Sequence, residues 1–302
     1  MTMETELTYR LLDGKAISAD IRRGIAASVE QMKAEGKRVP HLCAVLVGNE
    51  GASETYVASK IKNCKEVGFD SSLIRFPSTV TQDELLETIK SLNENASIDG
   101  ILVQLPLPSH INVQKVTESI LPEKDVDGFH PLNVGRMVQN LPCFIPATPL
   151  GVLLMLEHAG ISTAGMHCVV VGRSNIVGKP MSILMAQNSE PGNATVTLCH
   201  SKTRNLSEIT RTADILISAM GRPRFIKADM VKPGAVVIDV GIVRIEDATT
   251  KSGYRIVGDV DFEEVAPKCS HISPVPGGVG LMTIAGLMMN TLRAARKDIR
   301  FF

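Results

Sequence analysis

The run Val169–Pro180, Val-Val-Val-Gly-Arg-Ser-Asn-Ile-Val-Gly-Lys-Pro, constrains this chain more than any other stretch. β-Branched residues end at Gly172, a polar turn follows, and Gly178 opens a helix. Strand, glycine turn and helix in that order aim backbone N–H groups and a helix dipole at a pyrophosphate. The spacing departs from the usual three-glycine fingerprint, because no glycine stands between Gly172 and Gly178. Taken alone, such a turn equally well just connects a strand to a helix, so its meaning depends on its surroundings.

Those surroundings alternate in period. Ile17, Ile21, Ile25, Val29 and Met32 mark a helical stripe that ends at Gly36, and Leu42–Val47 reads as a buried strand. Ser53 is expected to cap a helix running to about Val67, with Gly68 as its stop and Val57, Ile61 and Cys64 as its buried stripe. Leu73–Phe76 reads as a strand, and Thr81-Gln-Asp-Glu84 as a capping box opening a helix through Leu85, Leu86, Ile89 and Leu92. Gly100–Leu105 is the next strand, stopped by Pro106 and Pro108. The proline-bearing segment 141–149 reads as the approach to a domain boundary, with Thr148 as N-cap and Pro149 at the first position of a helix ending at Gly160. Strands follow at 166–171, 194–198, 214–219 and 235–240, with a helix near 178–188. A last helix carries Met282, Ala285, Met288, Met289 and Leu292 as core residues rather than a ligand surface. The fold class is therefore α/β, built from parallel β-α-β units, and 302 residues suit two domains.

Lys+Arg and Asp+Glu both number 32, which argues against nucleic acid or an anionic membrane as the main partner. The six cysteines form no Cys-x-x-Cys pair, the pattern of reduced, buried thiols in a cytoplasmic protein without a metal site. The start, Met-Thr-Met-Glu-Thr-Glu, carries acids and no apolar segment, unlike a signal peptide.

Several residues fit chemistry, each beside a plainer reading. Tyr56 and Lys60 stand four apart on one helix face, some way round from the apolar stripe: either a cleft-edge pair or a surface tyrosine with a snorkelling lysine. The same spacing occurs in short-chain dehydrogenases, but there it follows the nucleotide turn, and here it precedes it. Gln104, near the carboxyl end of a strand, is an ordinary cap or an amide aimed into a ligand site. Asp127, before Gly128, is a turn residue or a carboxylate for an N–H donor edge. Arg173 is a solvated turn residue or a phosphate grip. After strand 194–198 the chain reads His200-Ser201, with no acid for a ribose 2′-hydroxyl, so Arg173 and Ser201 favour a 2′-phosphate. Nothing pairs His200 with a nucleophile.

Tyr56-Val-Ala-Ser-Lys60, Gln104-Leu-Pro-Leu-Pro108, Lys124-Asp-Val-Asp-Gly128, Gly172-Arg-Ser174 through Ile176-Val-Gly-Lys-Pro180, and Pro274-Val-Pro-Gly-Gly-Val-Gly280 follow one another in a known order. Over nearly its whole length the chain resembles the bifunctional methylenetetrahydrofolate dehydrogenase/cyclohydrolase family, in its bacterial monodomain form. The resemblance implies two α/β domains flanking a cleft: a folate-binding catalytic domain of residues 1–145 with 280–302, and a Rossmann-like NADP-binding domain of residues 146–279. It implies a homodimer joined through the nucleotide domains, tetrahydrofolate derivatives as substrates, and NADP as the one cofactor. The implied chemistry is oxidation of 5,10-methylenetetrahydrofolate with NADP⁺, then hydrolysis of the methenyl product to 10-formyltetrahydrofolate. By the same resemblance Lys60, Gln104 and Asp127 are catalytic, and Tyr56, Pro276, Gly277 and Gly278 help bind the folate. Gly172, Arg173, Ser174, Ile176, Ser201 and Ile242 bind the cofactor. Two departures stand out: Leu281 where the family usually has proline, and Val243 where a polar residue is more usual. The competing readings are a dehydrogenase alone, a shikimate-type dehydrogenase lacking these ordered motifs, and a nucleotide-binding sensor without catalysis.

Overall fold

In the computed structural model, residues 9–49, 51–250 and 253–299 are described, so the acidic start of the chain lies outside the described residues. The chain divides into two compact units. One joins the described residues up to Ser18 to Thr148–Thr283, and the other joins Ala19–Ala147 to the segment from Ile284.

The unit that includes Ala19–Ala147 is built on a three-stranded parallel sheet in the order Asp70–Phe76, His41–Val47, Gly100–Val103. The central strand is buried along Leu42–Val47, as a run without polar alternation requires when both faces are covered. Ile101 donates its N–H to the Lys124 carbonyl and bridges to Asp125, which extends the sheet by a fourth, irregular position. Leu42, Val57, Cys64, Leu287, Met288 and Leu292 share one core, so the methionine-bearing stripe of the helix Val279–Arg296 is packing surface. The capping box forms as expected: Glu84 N–H donates to Thr81 Oγ1, and Thr81 N–H donates to the Glu84 carboxylate.

The other unit carries a six-stranded, wholly parallel sheet in the order Arg10–Leu11, His271–Ile272, Val236–Asp239, Ile215–Ser218, His167–Val171, Thr195–Cys199. Numbered from His167–Val171, the order is 2-1-3-4-5, a doubly wound pattern whose strand order reverses between the first and third strands. An antiparallel pair, Val243–Glu246 with Tyr254–Val257, stands apart from it. Val243 thus opens a strand, and Leu281 lies in the first turn of a helix that already runs from Val279.

Two expected caps are displaced. The helix containing Tyr56 begins at Gly51, and the Thr55 hydroxyl already bonds the Gly51 carbonyl, which leaves Ser53 inside the first turn. The helix Ala147–His158 likewise starts one residue before Thr148, whose hydroxyl meets Thr283 Oγ1 at 3.0 Å instead of capping. All six cysteines are free and buried. Among the described residues no helix is long and apolar enough to cross a membrane.

The capping box is exposed and self-contained, so Thr81→Ala should remove the hydroxyl's bonds to the Glu84 N–H and carboxylate without disturbing the core. A loss of ~1 kcal/mol in urea unfolding, with unchanged slope, is expected.

Candidate active site

In the sheet of Ala19–Ala147 the order also reverses, here between His41–Val47 and Gly100–Val103. Gln104 follows the second of these strands directly, and its N–H still bonds the Val45 carbonyl, so the strand pairing itself fixes where the side chain starts. Its amide donates from Nε2 to the Leu105 carbonyl at 2.7 Å. That bond leaves Oε1 to accept from Lys60 Nζ at 3.1 Å. Lys60 Nζ also lies 4.6 Å from the centroid of the Tyr56 ring, the four-residue spacing realised on one face.

The surface-lysine reading of Lys60 is overturned, because only 4 % of the residue is exposed. Burial drives its pKa down, while the charge of Asp127 works in the opposite direction. Burial pushes the Cys64 thiol itself up to about 12, so it stays neutral beside the amine. The Asp127 carboxyl is raised by its dense surroundings, although part of its surface remains accessible, and the Lys60 charge opposes that rise. No side chain or backbone group among the described residues hydrogen-bonds to the Asp127 carboxylate. It is an acceptor held ready in a poorly hydrated place.

Asp127 is held from four sides. Its carbonyl accepts from the Ala147 N–H. Gly128 takes φ +74°, and a Cβ there would lie 2.6 Å from the Pro146 nitrogen, so only glycine fits this turn. Asp125, 1 % exposed, accepts from the N–H groups of Phe129 and His130 and from Asn133 Nδ2. The fourth support escaped the sequence reading: buried Asn290 donates through Nδ2 to the Val126 carbonyl at 2.8 Å and the Ile145 carbonyl at 2.9 Å. An asparagine within an apolar helical stripe was the available signal, and its partners lie 145 and 164 residues away.

The nucleotide turn lies in the other unit. Gly172 has φ +129°, and a Cβ there would come 2.2 Å from the Ala219 carbonyl oxygen. One on Gly178 would come 1.9 Å from the Gly172 carbonyl oxygen. The two glycines therefore let strand, turn and helix close on one another, and the Ser174 hydroxyl accepts from the N–H groups of Val177 and Gly178. A pocket of about 450 Å³ opens here, lined by Gly172, Arg173, Ser174, Ser201, Arg222 and Phe225 among others. Ile176 and Ile242 are exposed and do not line it. Pro276, Gly277 and Gly278 belong to the same unit, in the loop leading to the helix Val279–Arg296. His200 lines the pocket, and its Nδ1 accepts from the Lys202 N–H, the role of a strand-end residue.

The profile of the tetrahydrofolate dehydrogenase/cyclohydrolase catalytic domain matches residues 12–127, and that of the family's NAD(P)-binding domain matches residues 146–299. The chain belongs to the tetrahydrofolate dehydrogenase/cyclohydrolase family. The bifunctional protein FolD of Cytophaga hutchinsonii is 62 % identical over 286 residues, covering 95 % of this chain and 99 % of that protein. The crystal structure of the bifunctional FolD methylenetetrahydrofolate dehydrogenase/cyclohydrolase of Campylobacter jejuni matches with a TM-score of 0.90 at 48 % identity, covering 96 % of this chain and 99 % of that one. The Trypanosoma brucei enzyme, complexed with NADP and an inhibitor, matches with a TM-score of 0.91 at 36 % identity, covering 97 % and 99 %. Family membership sets aside the shikimate-type and sensor readings: this is an enzyme of tetrahydrofolate chemistry.

Lys60 yields a stability prediction. A base whose pKa in the fold lies below its ordinary value of 10.5 resists protonation there, so its cost appears as pH falls below that value and is complete below the folded pKa. Asp127 offsets part of that cost. Lys60→Met should therefore stabilise the fold, and by more at about pH 6 than at about pH 10. Thermal unfolding at both pH values checks this, and a variant less stable than wild type at the lower pH would contradict it.

Proposed function

We propose that the chain oxidises 5,10-methylenetetrahydrofolate with NADP⁺ and then hydrolyses the methenyl cation to 10-formyltetrahydrofolate, using Lys60 as the base of the second step. The observation that carries this reading is a desolvated amine, 3.1 Å from Gln104 Oε1 and electrostatically coupled to Asp127. An amine with a lowered pKa keeps a neutral fraction that a solvated lysine lacks near neutral pH. Donating one N–H to Gln104 directs the remaining lone pair. Water that attacks the methenyl carbon must lose a proton as it does so, and that lone pair receives it. The arriving cation itself further disfavours a charge on Lys60. Asp127, with its carboxylate unoccupied by protein donors, suits the N–H edge of a pterin, and the Tyr56 ring offers a face to the aminobenzoyl group.

NADP⁺, when bound, supplies the hydride acceptor. The glycine turn, the N-terminus of the helix Gly178–Ala186 and Ser174 suit its pyrophosphate, and Arg173 with Ser201 suits a 2′-phosphate. Ile176 and Ile242, and the loop Pro276–Gly278, remain assigned to cofactor and folate on the family resemblance. In this division of labour residues 1–145 with 280–302 serve the folate and 146–279 the nucleotide. A cytoplasmic homodimer belongs to the same proposal.

Hydride transfer is chiefly a matter of alignment and asks for no base, whereas general base catalysis contributes ~10²–10⁴-fold to hydrolysis. Lys60→Met should thus reduce hydrolysis of methenyltetrahydrofolate by at least ~10²-fold over the buffer-corrected rate, with a smaller loss of NADPH formation. Hydrolysis surviving in the variant would remove Lys60 from the mechanism. For the cofactor, Arg173→Ala should raise the apparent constant for NADP⁺ about tenfold and leave that for NAD⁺ nearly unchanged. Equal changes for both would refute the phosphate role.

A further inference from the structure

Two guanidinium groups border the nucleotide pocket, and the sequence motifs single out only Arg173. The second is Arg222, on the loop that follows the strand Ile215–Ser218. Its side chain is exposed and forms no ion pair among the described residues, so the plain reading is a solvated surface arginine. The geometry around it argues otherwise. The guanidinium carbon lies 4.4 Å from the centroid of the Phe225 ring, which also lines the pocket. The Arg222 N–H donates to Asp259 Oδ1 at 2.8 Å, the Met220 N–H donates to Asp259 Oδ2 at 2.6 Å, and the Ser218 hydroxyl bonds the same oxygen at 3.1 Å. Asp259 is wholly buried. One carboxylate thus fixes the backbone on both sides of Gly221, and an aromatic ring supports the plane of the cation that follows.

In a doubly wound sheet the ribose end of a dinucleotide lies by the loop after the second strand, where an acid commonly takes the 2′-hydroxyl. Here that loop contributes His200, Ser201 and Thr203 to the pocket and no acid, and Arg222 faces the same pocket from the loop after the third strand. The pyrophosphate already has the glycine turn and the helix N-terminus. We propose that Arg222 is a specificity-determining residue which, with Arg173, selects an adenosine ribose carrying a 2′-phosphate, and that Asp259 and Phe225 hold it in place for this. A planar cation supported before the ligand arrives loses less side-chain freedom on binding, and its fork geometry matches a phosphate. The inference rests on the NADP reading above and extends it to a residue outside the glycine-turn motif.

The test is calorimetric titration of the full chain with adenosine 2′,5′-bisphosphate and with adenosine 5′-monophosphate, which needs no catalysis. Arg222→Leu should weaken the bisphosphate about tenfold and the monophosphate by less than about twofold. Arg222→Lys should recover part of the loss. Wild-type protein that binds the two nucleotides equally would overturn the NADP reading together with this inference. A wild-type preference that Arg222→Leu leaves intact would overturn this inference alone, as would equal weakening of both nucleotides or no recovery with lysine.

Discussion

Taking a lysine ammonium out of water is the constraint on which the catalytic unit depends. Burial of Lys60 costs free energy that no salt bridge repays, because its near partners are an amide, an aromatic ring and a carboxylate that acts by charge rather than by a hydrogen bond. The fold tolerates this only because everything around the amine is fixed. Gln104 is tied to Val45 through its backbone and to Leu105 through its side chain, so it offers Lys60 one oxygen in one position. A looser site would let water in and move the amine back towards the ordinary lysine pKa.

Asp127 shows the same logic for the opposite charge. Its own carboxylate is left without protein donors, while its neighbour Asp125 takes three. The difference follows from where each stands in the turn. Asp125 anchors a turn from the interior, and burial pushes its carboxyl up to about 7 despite the bonds it accepts. Asp127 stands next to it in a turn that Gly128 alone can make, clamped by Asn290 from the helix Val279–Arg296. The two aspartates of one short motif therefore divide anchoring from presentation.

Much of this was legible in the sequence because it is local or periodic. The alternation of helical stripes with unbroken apolar runs predicts parallel β-α-β units, and the two larger sheets are parallel. The capping box and the glycine turn depend on residues three to six apart, and both form. What stayed hidden depends on distant partners. The strand Arg10–Leu11 is too short to carry a pattern and exists because it pairs with His271–Ile272. Ser53 and Thr148 have the chemistry of caps, but a hydroxyl does not reveal whether another partner waits for it, as Thr283 does for Thr148. The depth of Lys60 was hidden for a related reason: helical phase gives an angle around the axis, whereas burial depends on what Gln104 and the Asp127 turn bring over that face.

The nucleotide unit handles buried charge differently, and the contrast explains where its specificity can reside. Asp239 and Asp259 are both buried close together, and among the described residues their partners are backbone N–H groups and the Ser218 hydroxyl rather than a cation. Burial and the charge of Asp259 raise the Asp239 carboxyl, to about 7, even though the N–H groups of Gly241, Asp259 and Val260 work against that rise. Carboxylates satisfied in this way order loops: Asp239 takes the Gly241 N–H and Asp259 takes those of Met220 and Arg222. Because no arginine is consumed in neutralising them, Arg173 and Arg222 stay at the pocket with their charge uncommitted. In one unit, then, a buried amine stands beside an uncommitted carboxylate. In the other, buried carboxylates order the loop that carries an exposed arginine at the pocket.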